Sequence, residues 1–222
     1  MGRKPQVDYR KFPFRNIYDP KFAHLKLLLS WVIYFAFYIL TEAYIPYDRC
    51  RVIYSPLDDI VPFCEYFVVP YVLWYALVAG SLLYFLLFDV KSFQSLQKYI
   101  IITQIIAMTV YILFPNRQDL RPQSFPRDNI FTQVVSLLYS IDTSTNVCPS
   151  MHVAFSVAIA SVWVKKHVKW PIKTAIVLFA VTVCFSTVLI KQHSVVDGFA
   201  ALVVCLLAEW RVFYKGGGQQ KW

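Results

Sequence analysis

The sequence predicts an all-α, polytopic membrane bundle of six transmembrane helices. Three observations predict it. Hydrophobic residues make up 58% of the 222-residue chain and mean hydropathy is +0.49. Charged residues are 16% of the chain, against about 25% in a soluble domain. The apolar residues are gathered into long runs separated by polar, basic segments, as in helices that cross a bilayer.

Residues 1–24 are polar and basic, with Arg3, Lys4, Arg10, Lys11, Arg15 and Lys21. No small-residue cleavage site follows the first apolar run, so this segment reads as an uncleaved cytoplasmic tail. A membrane domain over 25–214 then holds six candidate spans: Leu25–Ile45, Val68–Phe88, Tyr99–Phe114, Ser150–Val164, Ile172–Ile190 and Val195–Tyr214. A span needs roughly 17–25 residues. The third and fourth fall short, so flanking residues extend them, the bilayer thins there, or protein surrounds their ends. Ser55–Tyr71 mixes apolar residues, carboxylates and prolines, and reads as an irregular or short interfacial helix leading into span two. Ile130–Ile141 has an amphipathic pattern suited to a short helix at the interface, where it could roof a site. Residues 215–222, with glycines at 216–218, read as a flexible tail.

The net charge is +9 and the pI about 9.3. In a soluble chain that would suggest a nucleic-acid partner. Here the charges lie between apolar runs, so the positive-inside rule accounts for them and no nucleic acid is expected. With the N-terminus inside, sixteen Lys/Arg fall on the inner side and six on the outer. Both termini are then cytoplasmic. The end of span three, the start of span four and the junction of spans five and six share the outer face. Small size and short tails suit a bacterial plasma membrane. Aromatic residues are 18% of the chain and cluster near span ends, as in an interfacial belt. Five cysteines make no paired Cys-x-x-Cys pattern. Cys184 and Cys205 read as buried hydrophobes. A disulfide among Cys50, Cys64 and Cys148 would require their loops to face an oxidising compartment. Oligomeric state is not legible.

Two stretches carry the chemistry: Val147-Cys148-Pro149-Ser150-Met151-His152 and Lys191-Gln192-His193-Ser194-Val195-Val196-Asp197. Each places a histidine at the edge of a span, where an ionisable group is costly and marks a functional candidate. His193 and Asp197, four apart, share a helix face. The carboxylate can accept from one ring nitrogen and leave the other free as nucleophile or base. Pro149 and Ser150 make an N-cap signature, and a helix N-terminus favours an anion. Arg117, Arg121 and Lys191 lie on the same predicted face. A phosphate ester flanked by cations, with one histidine to attack and another to protonate the leaving oxygen, makes a phosphoryl-transfer site.

These residues resemble the type 2 phosphatidic acid phosphatase superfamily, whose pattern is Lys-x6-Arg-Pro, Pro-Ser-Gly-His and Ser-Arg-x5-His-x3-Asp. The matching stretches are Phe114 to Pro122, Pro149-Ser150-Met151-His152, and Ser186-Thr187 followed by His193 and Asp197. The resemblance covers spans three to six. It implies that His193 attacks phosphorus, Asp197 orients it, and His152 protonates the leaving alcohol and then activates water. It implies that Arg121 and the amides around Ser150 and Met151 hold the phosphoryl oxygens, and that no cofactor or metal is needed. Phe114 stands at the lysine position, Thr187 at the arginine position and Met151 at the glycine position. Arg117 and Lys191 are near enough to replace the two cations electrostatically. These departures resemble a divergent branch that includes inositol phosphorylceramide synthases.

The expected function is a membrane lipid phosphate phosphatase, acting on a phosphatidic acid-, phosphatidylglycerol phosphate- or polyprenyl phosphate-like lipid. Transfer of a phosphoryl headgroup to a lipid alcohol by the same histidine is the first alternative, and a non-catalytic lipid-binding protein the second. Plainer readings stand beside each residue. His193 with Asp197 could be a buried packing pair, His152 a satisfied core histidine, Arg117 and Arg121 headgroup contacts, and Lys191 a snorkelling side chain. Asp58, Asp59 and Glu65 read as solvated loop carboxylates, and His24 and His167 as lipid-facing or solvated. A His/His/Asp metal site is the competing chemistry, opposed by the basic residues nearby.

Overall fold

The computed structural model describes residues 4–11 and 19–215. Among them are eight α-helices: α1 (Leu29–Tyr44), α2 (Leu57–Ile60), α3 (Val68–Phe88), α4 (Val90–Leu113), α5 (Ile130–Ile141), α6 (Met151–Val164), α7 (Trp170–Leu189) and α8 (Val195–Glu209). Four helical stretches are long and apolar enough to cross a membrane: Pro20–Tyr44, Glu65–Phe88, Val90–Leu113 and Trp170–Leu189. Their outward faces carry large apolar side chains such as Val32, Ile33, Leu178 and Phe185, the surface that lipid rather than water tolerates.

α3 coincides with the second predicted span. The third differs. α4 begins at Val90, nine residues before the expected start, and runs for 24 residues. Its first half contains Ser92, Ser95 and Gln97, which lower the local hydropathy but are buried. Gln97 donates to the Leu27 carbonyl (3.1 Å) and accepts from the Trp31 indole (3.2 Å), so its amide is satisfied inside the bundle. α6 is short for a different reason. It has 14 residues, apolar all round, and α3, α4, α7 and α8 pack against it. A helix of that composition belongs at the centre of the molecule. Ala154, Ala158 and Ser156 on α6 are buried and small, which lets its neighbours approach closely.

Two ends of the bundle follow from the contacts. At one end Asp89 caps α4, accepting from the Ser92 amide, and pairs with Lys166, while Lys165 pairs with Glu209. Tyr9 donates to the Leu86 carbonyl and bonds His24 (2.8 Å) there. His24 is thus buried rather than lipid-facing or solvated, while His167 is exposed. The expected basic tail is therefore in part docked on the bundle. Its residues 1–3 and 12–18, and the glycine tail over 216–222, lie outside the described residues.

The other end holds the loops 45–67, 114–150 and 190–194. A two-residue parallel pairing of β1 (Arg51–Val52) with β2 (Asn116–Arg117) is a small departure from an all-α chain. It ties the loop after α1 to the loop after α4. Ser55–Tyr71 contains α2 and a short 3₁₀ turn at Glu65–Phe67, as the prolines suggested. α5 is capped by Asn129 through a reciprocal box with Thr132. All five cysteines are unbonded, so no disulfide joins Cys50, Cys64 and Cys148.

Because Ala158 is fully buried where α6 meets its neighbours, Ala158→Leu should cost about 1–3 kcal/mol by overpacking. A lower thermal midpoint in detergent is the expected outcome. An unchanged midpoint would contradict the central placement of α6.

Candidate active site

The site forms where the N-termini of α6 and α8 meet. The Ser150 amide donates to the Asp197 carbonyl (3.1 Å), joining the two helix starts directly. Ser150 caps α6 through Val153, and Ser194 caps α8 through Val196, with Asp197 completing a capping box. Both histidines therefore stand in or beside the first turn of a helix.

Asp197 is fully buried. Its Oδ2 accepts from the Ser194 amide (2.9 Å) and from His193 Nδ1 (3.1 Å). An ionised carboxylate only accepts, so His193 carries its proton on Nδ1. In the neutral ring Nε2 then has a free lone pair, and this atom faces His152 Nδ1 at 3.4 Å. The contact is long for a hydrogen bond, and its polarity makes His152 Nδ1 the donor. His152 is stacked on Tyr71 (4.4 Å between ring centres) and lies tilted against Trp74 (4.2 Å), and the two rings hold it in place. Its Nε2 is buried without a partner among the described residues. The Cys148 thiol lies beside Asp197, and burial pushes it up to about 12, so it stays protonated and can donate to the carboxylate.

Two clamps hold the loops that carry these residues. On the α6 side, Asn116 Oδ1 accepts from the amides of Val147 and Cys148, and its Nδ2 donates to the carbonyls of Phe114 and Cys148. On the α8 side the clamp is Asp58. Its carboxylate accepts from Ser194 Oγ (2.6 Å), the Val195 amide (2.8 Å) and the Ser55 amide (2.8 Å). Asp58 is 3% exposed, which corrects its reading as a solvated carboxylate. Glu65 is likewise buried, bonded to Arg127 and Asn129, whereas Asp59 is exposed.

The cations expected to hold phosphate are each engaged by other partners. Lys191 is the left-handed residue (φ 54°) of a Schellman turn that ends α7, with its own amide on Val188 and that of Gln192 on Thr187. Its Nζ donates to the carbonyls of Asp58 (2.7 Å) and Val61 (2.6 Å), and burial holds the ammonium below the usual lysine range. Arg117 stacks on Tyr47 (4.0 Å) and pairs with Asp119 (3.3 Å). Arg121 donates to the carbonyls of Tyr139, Asp142 and Thr143 at the end of α5 and to Gln192 Oε1 (2.6 Å). Its Nε is buried without an acceptor among the described residues. Of the predicted site residues, His152, His193 and Met151 line one cavity. Ser150 and Asp197, bonded to each other, do not line it, and neither do Arg117, Arg121 and Lys191.

That cavity is about 640 Å³. One wall is α1, with Trp31, Tyr34, Phe35 and Tyr38; the facing wall is α3, from Trp74 to Leu82. From Trp74 to Leu82 α3 rises about 12 Å, close to one leaflet of a hydrocarbon core about 30 Å thick. Its polar end is formed by His152, His193, Gln192, Asn146, Thr145 and Asp142. Sequence reasoning missed Asp142, Gln192, Tyr71 and Trp74. Gln192, between Lys191 and His193, was within reach of the motif; the others are brought in only by packing. Among the described residues no three His, Cys, Asp or Glu side chains are arranged to hold a metal ion.

Asp58→Ala would strand the Ser194 hydroxyl and the Val195 amide, each costing about 1–3 kcal/mol. A fall of the thermal midpoint in detergent is expected, and an unchanged midpoint would show that the clamp does not hold the loop. In comparison with family models, with curated proteins and with solved structures, this chain finds no match.

Proposed function

We propose that this chain is a membrane-embedded enzyme that takes a phosphoryl group from a lipid onto His193. One observation carries the reading: His193 is held at Nδ1 by Asp197, and its Nε2 is presented toward His152 at the polar end of an apolar cavity one leaflet deep. The cavity suits an acyl or prenyl chain lying between α1 and α3 with its headgroup at the histidines.

In the first half of the reaction the Nε2 lone pair forms a bond to phosphorus and the bond from phosphorus to the lipid oxygen breaks. His152, carrying a proton on both ring nitrogens when the phosphate anion is bound, gives its Nδ1 proton to that oxygen and is left as the neutral ring. In the second half water gives a proton to His152 and attacks phosphorus. The nitrogen–phosphorus bond breaks and its electron pair returns to His193. With a phosphomonoester such as phosphatidic acid, phosphatidylglycerol phosphate or a polyprenyl phosphate, the product is inorganic phosphate. This is the chemistry of the type 2 phosphatidic acid phosphatases that the motifs resemble. In that arrangement α6 and α8 would complete six spans and the histidines would face the outer side. The amides of Met151 and His152 have no carbonyl within their own helix and can serve the phosphoryl oxygens.

A second reading keeps the covalent step but passes the group to a lipid hydroxyl in place of water. One feature favours it: among the described residues no lysine or arginine side chain lines the cavity, while the Asp142 carboxyl does. A phosphodiester, with one negative charge, suits that wall better than a doubly charged phosphomonoester.

Purified protein given labelled phosphatidic acid, or a headgroup-labelled phosphodiester lipid, and then quenched should carry an acid-labile, base-stable adduct. His193→Ala should abolish it, and His152→Ala should slow turnover by about 10²- to 10⁴-fold. An adduct of undiminished yield on His193→Ala would remove His193 from the nucleophile's role. Free phosphate in the absence of an acceptor lipid identifies a phosphatase; a new phospholipid formed only with an acceptor identifies a transferase.

A further inference from the structure

Around Asp142 the cavity has a composition that phosphate chemistry alone does not call for. Asp142 follows α5 and is half-buried, with Oδ2 accepting from the Tyr71 hydroxyl (3.2 Å) and, at 3.4 Å, from Gln192 Nε2. Tyr34, Tyr38 and Tyr75 line the same cavity as its carboxyl. Trp31 and Trp74 continue the same aromatic wall. Among the described residues the titratable and charged groups that face Asp142 are His193, Arg121, Tyr71 and Glu42. Arg121 makes four bonds through its terminal nitrogens, three to backbone carbonyls and one to Gln192. Glu42 bonds the Thr145 hydroxyl and the Asn146 amide. Burial raises the Asp142 carboxyl above the usual carboxylate range, which a cation arriving beside it would reverse.

A carboxylate set among aromatic faces is the chemistry that recognises organic ammonium ions. The ring faces attract the cation through their quadrupoles and the carboxylate supplies the counter-charge. We infer that the polar end of the cavity binds an organic ammonium group, the cationic half of a zwitterionic phosphodiester headgroup of the phosphocholine or phosphoethanolamine class. Gln192 spans the two halves of such a headgroup, since it adjoins His193 in the chain and bonds Asp142. The phosphodiester then sits at the histidines and the ammonium among Asp142, Tyr34, Tyr38 and Tyr75. Asp142 is here a specificity-determining residue. The assignment rests on the proposed function, because it takes the phosphorus to lie at His193.

The test uses full-length protein in dodecyl maltoside carrying His193→Ala, which prevents turnover. Lysophosphatidylcholine, lysophosphatidylethanolamine and lysophosphatidylglycerol are titrated against the intrinsic tryptophan fluorescence to which Trp31 and Trp74 contribute. The two zwitterions should bind about tenfold tighter than the glycerol lipid, and Asp142→Asn should bring all three within about twofold. A glycerol lipid that binds as tightly as the zwitterions, or a preference that survives Asp142→Asn, overturns the inference. Should Asp142→Asn fail to fold, Tyr38→Leu provides the second arm. Selective weakening of the zwitterions is expected there, and equal weakening of all three overturns the site. The choline and ethanolamine arms separate an aromatic cage for a methylated ammonium from a hydrogen-bonding site for a primary one. The adduct experiment on the His193 protein separates the two claims. An adduct from an anionic lipid with zwitterions refused overturns the ammonium site alone. Asp142-dependent zwitterion binding with no adduct from any lipid overturns the enzyme reading alone.

Discussion

One oxygen atom, Oδ2 of the fully buried Asp197, sets the geometry on which the rest depends. It accepts from the Ser194 amide, which helps to start α8, and from His193 Nδ1, which orients the ring. The same contact thus begins a helix and fixes a tautomer. A carboxylate at a helix N-terminus is stabilised by the free amides and the dipole there. That offsets the cost of burying its charge and leaves Nε2 of His193 as the ring nitrogen that faces His152.

Everything around this atom keeps two helix starts in register. Ser150 reaches the Asp197 carbonyl from α6, and Asp58 reaches Ser194 and Val195 from the segment before α3. Asn116 ties down the loop before α6. Lys191 accepts a left-handed backbone at the end of α7, and its ammonium is anchored on the Asp58 and Val61 carbonyls. The polar network sits at one end of an otherwise apolar bundle. There the loops can be satisfied by each other and need not face lipid. Among the described residues, the Asp142 carboxyl and aromatic side chains line the cavity, and no lysine or arginine does.

Much of this was legible in the sequence. α3 is an uninterrupted apolar run and was read to the residue; α6 and α8 begin where Ser150 and the His193 motif placed them. The pairing of His193 with Asp197 was legible because helical spacing alone brings them together. The first half of α4 was not, because hydropathy counts Gln97 as polar whether or not Leu27 and Trp31 satisfy it. Asp58 reads as a solvated residue because the partners that bury it, Ser194 and Val195, lie more than 130 positions along the chain. Arg121 and Lys191 were read from charge, but charge does not say which acceptors a side chain meets. Backbone carbonyls at helix ends took both. Asp142 was silent for the same reason, since only the closure of α1 and α3 around it gives it aromatic neighbours.

The most direct test of this account is the protonation pattern of the His193 ring, read by ¹⁵N NMR of histidine-labelled protein in detergent near neutral pH, with His193→Ala for assignment. The account predicts a pyrrole-type, proton-bearing Nδ1 and a pyridine-type Nε2, the pattern being lost in Asp197→Asn. A proton on Nε2 with Nδ1 bare would contradict it, since the nitrogen presented to His152 would then have no lone pair with which to attack phosphorus.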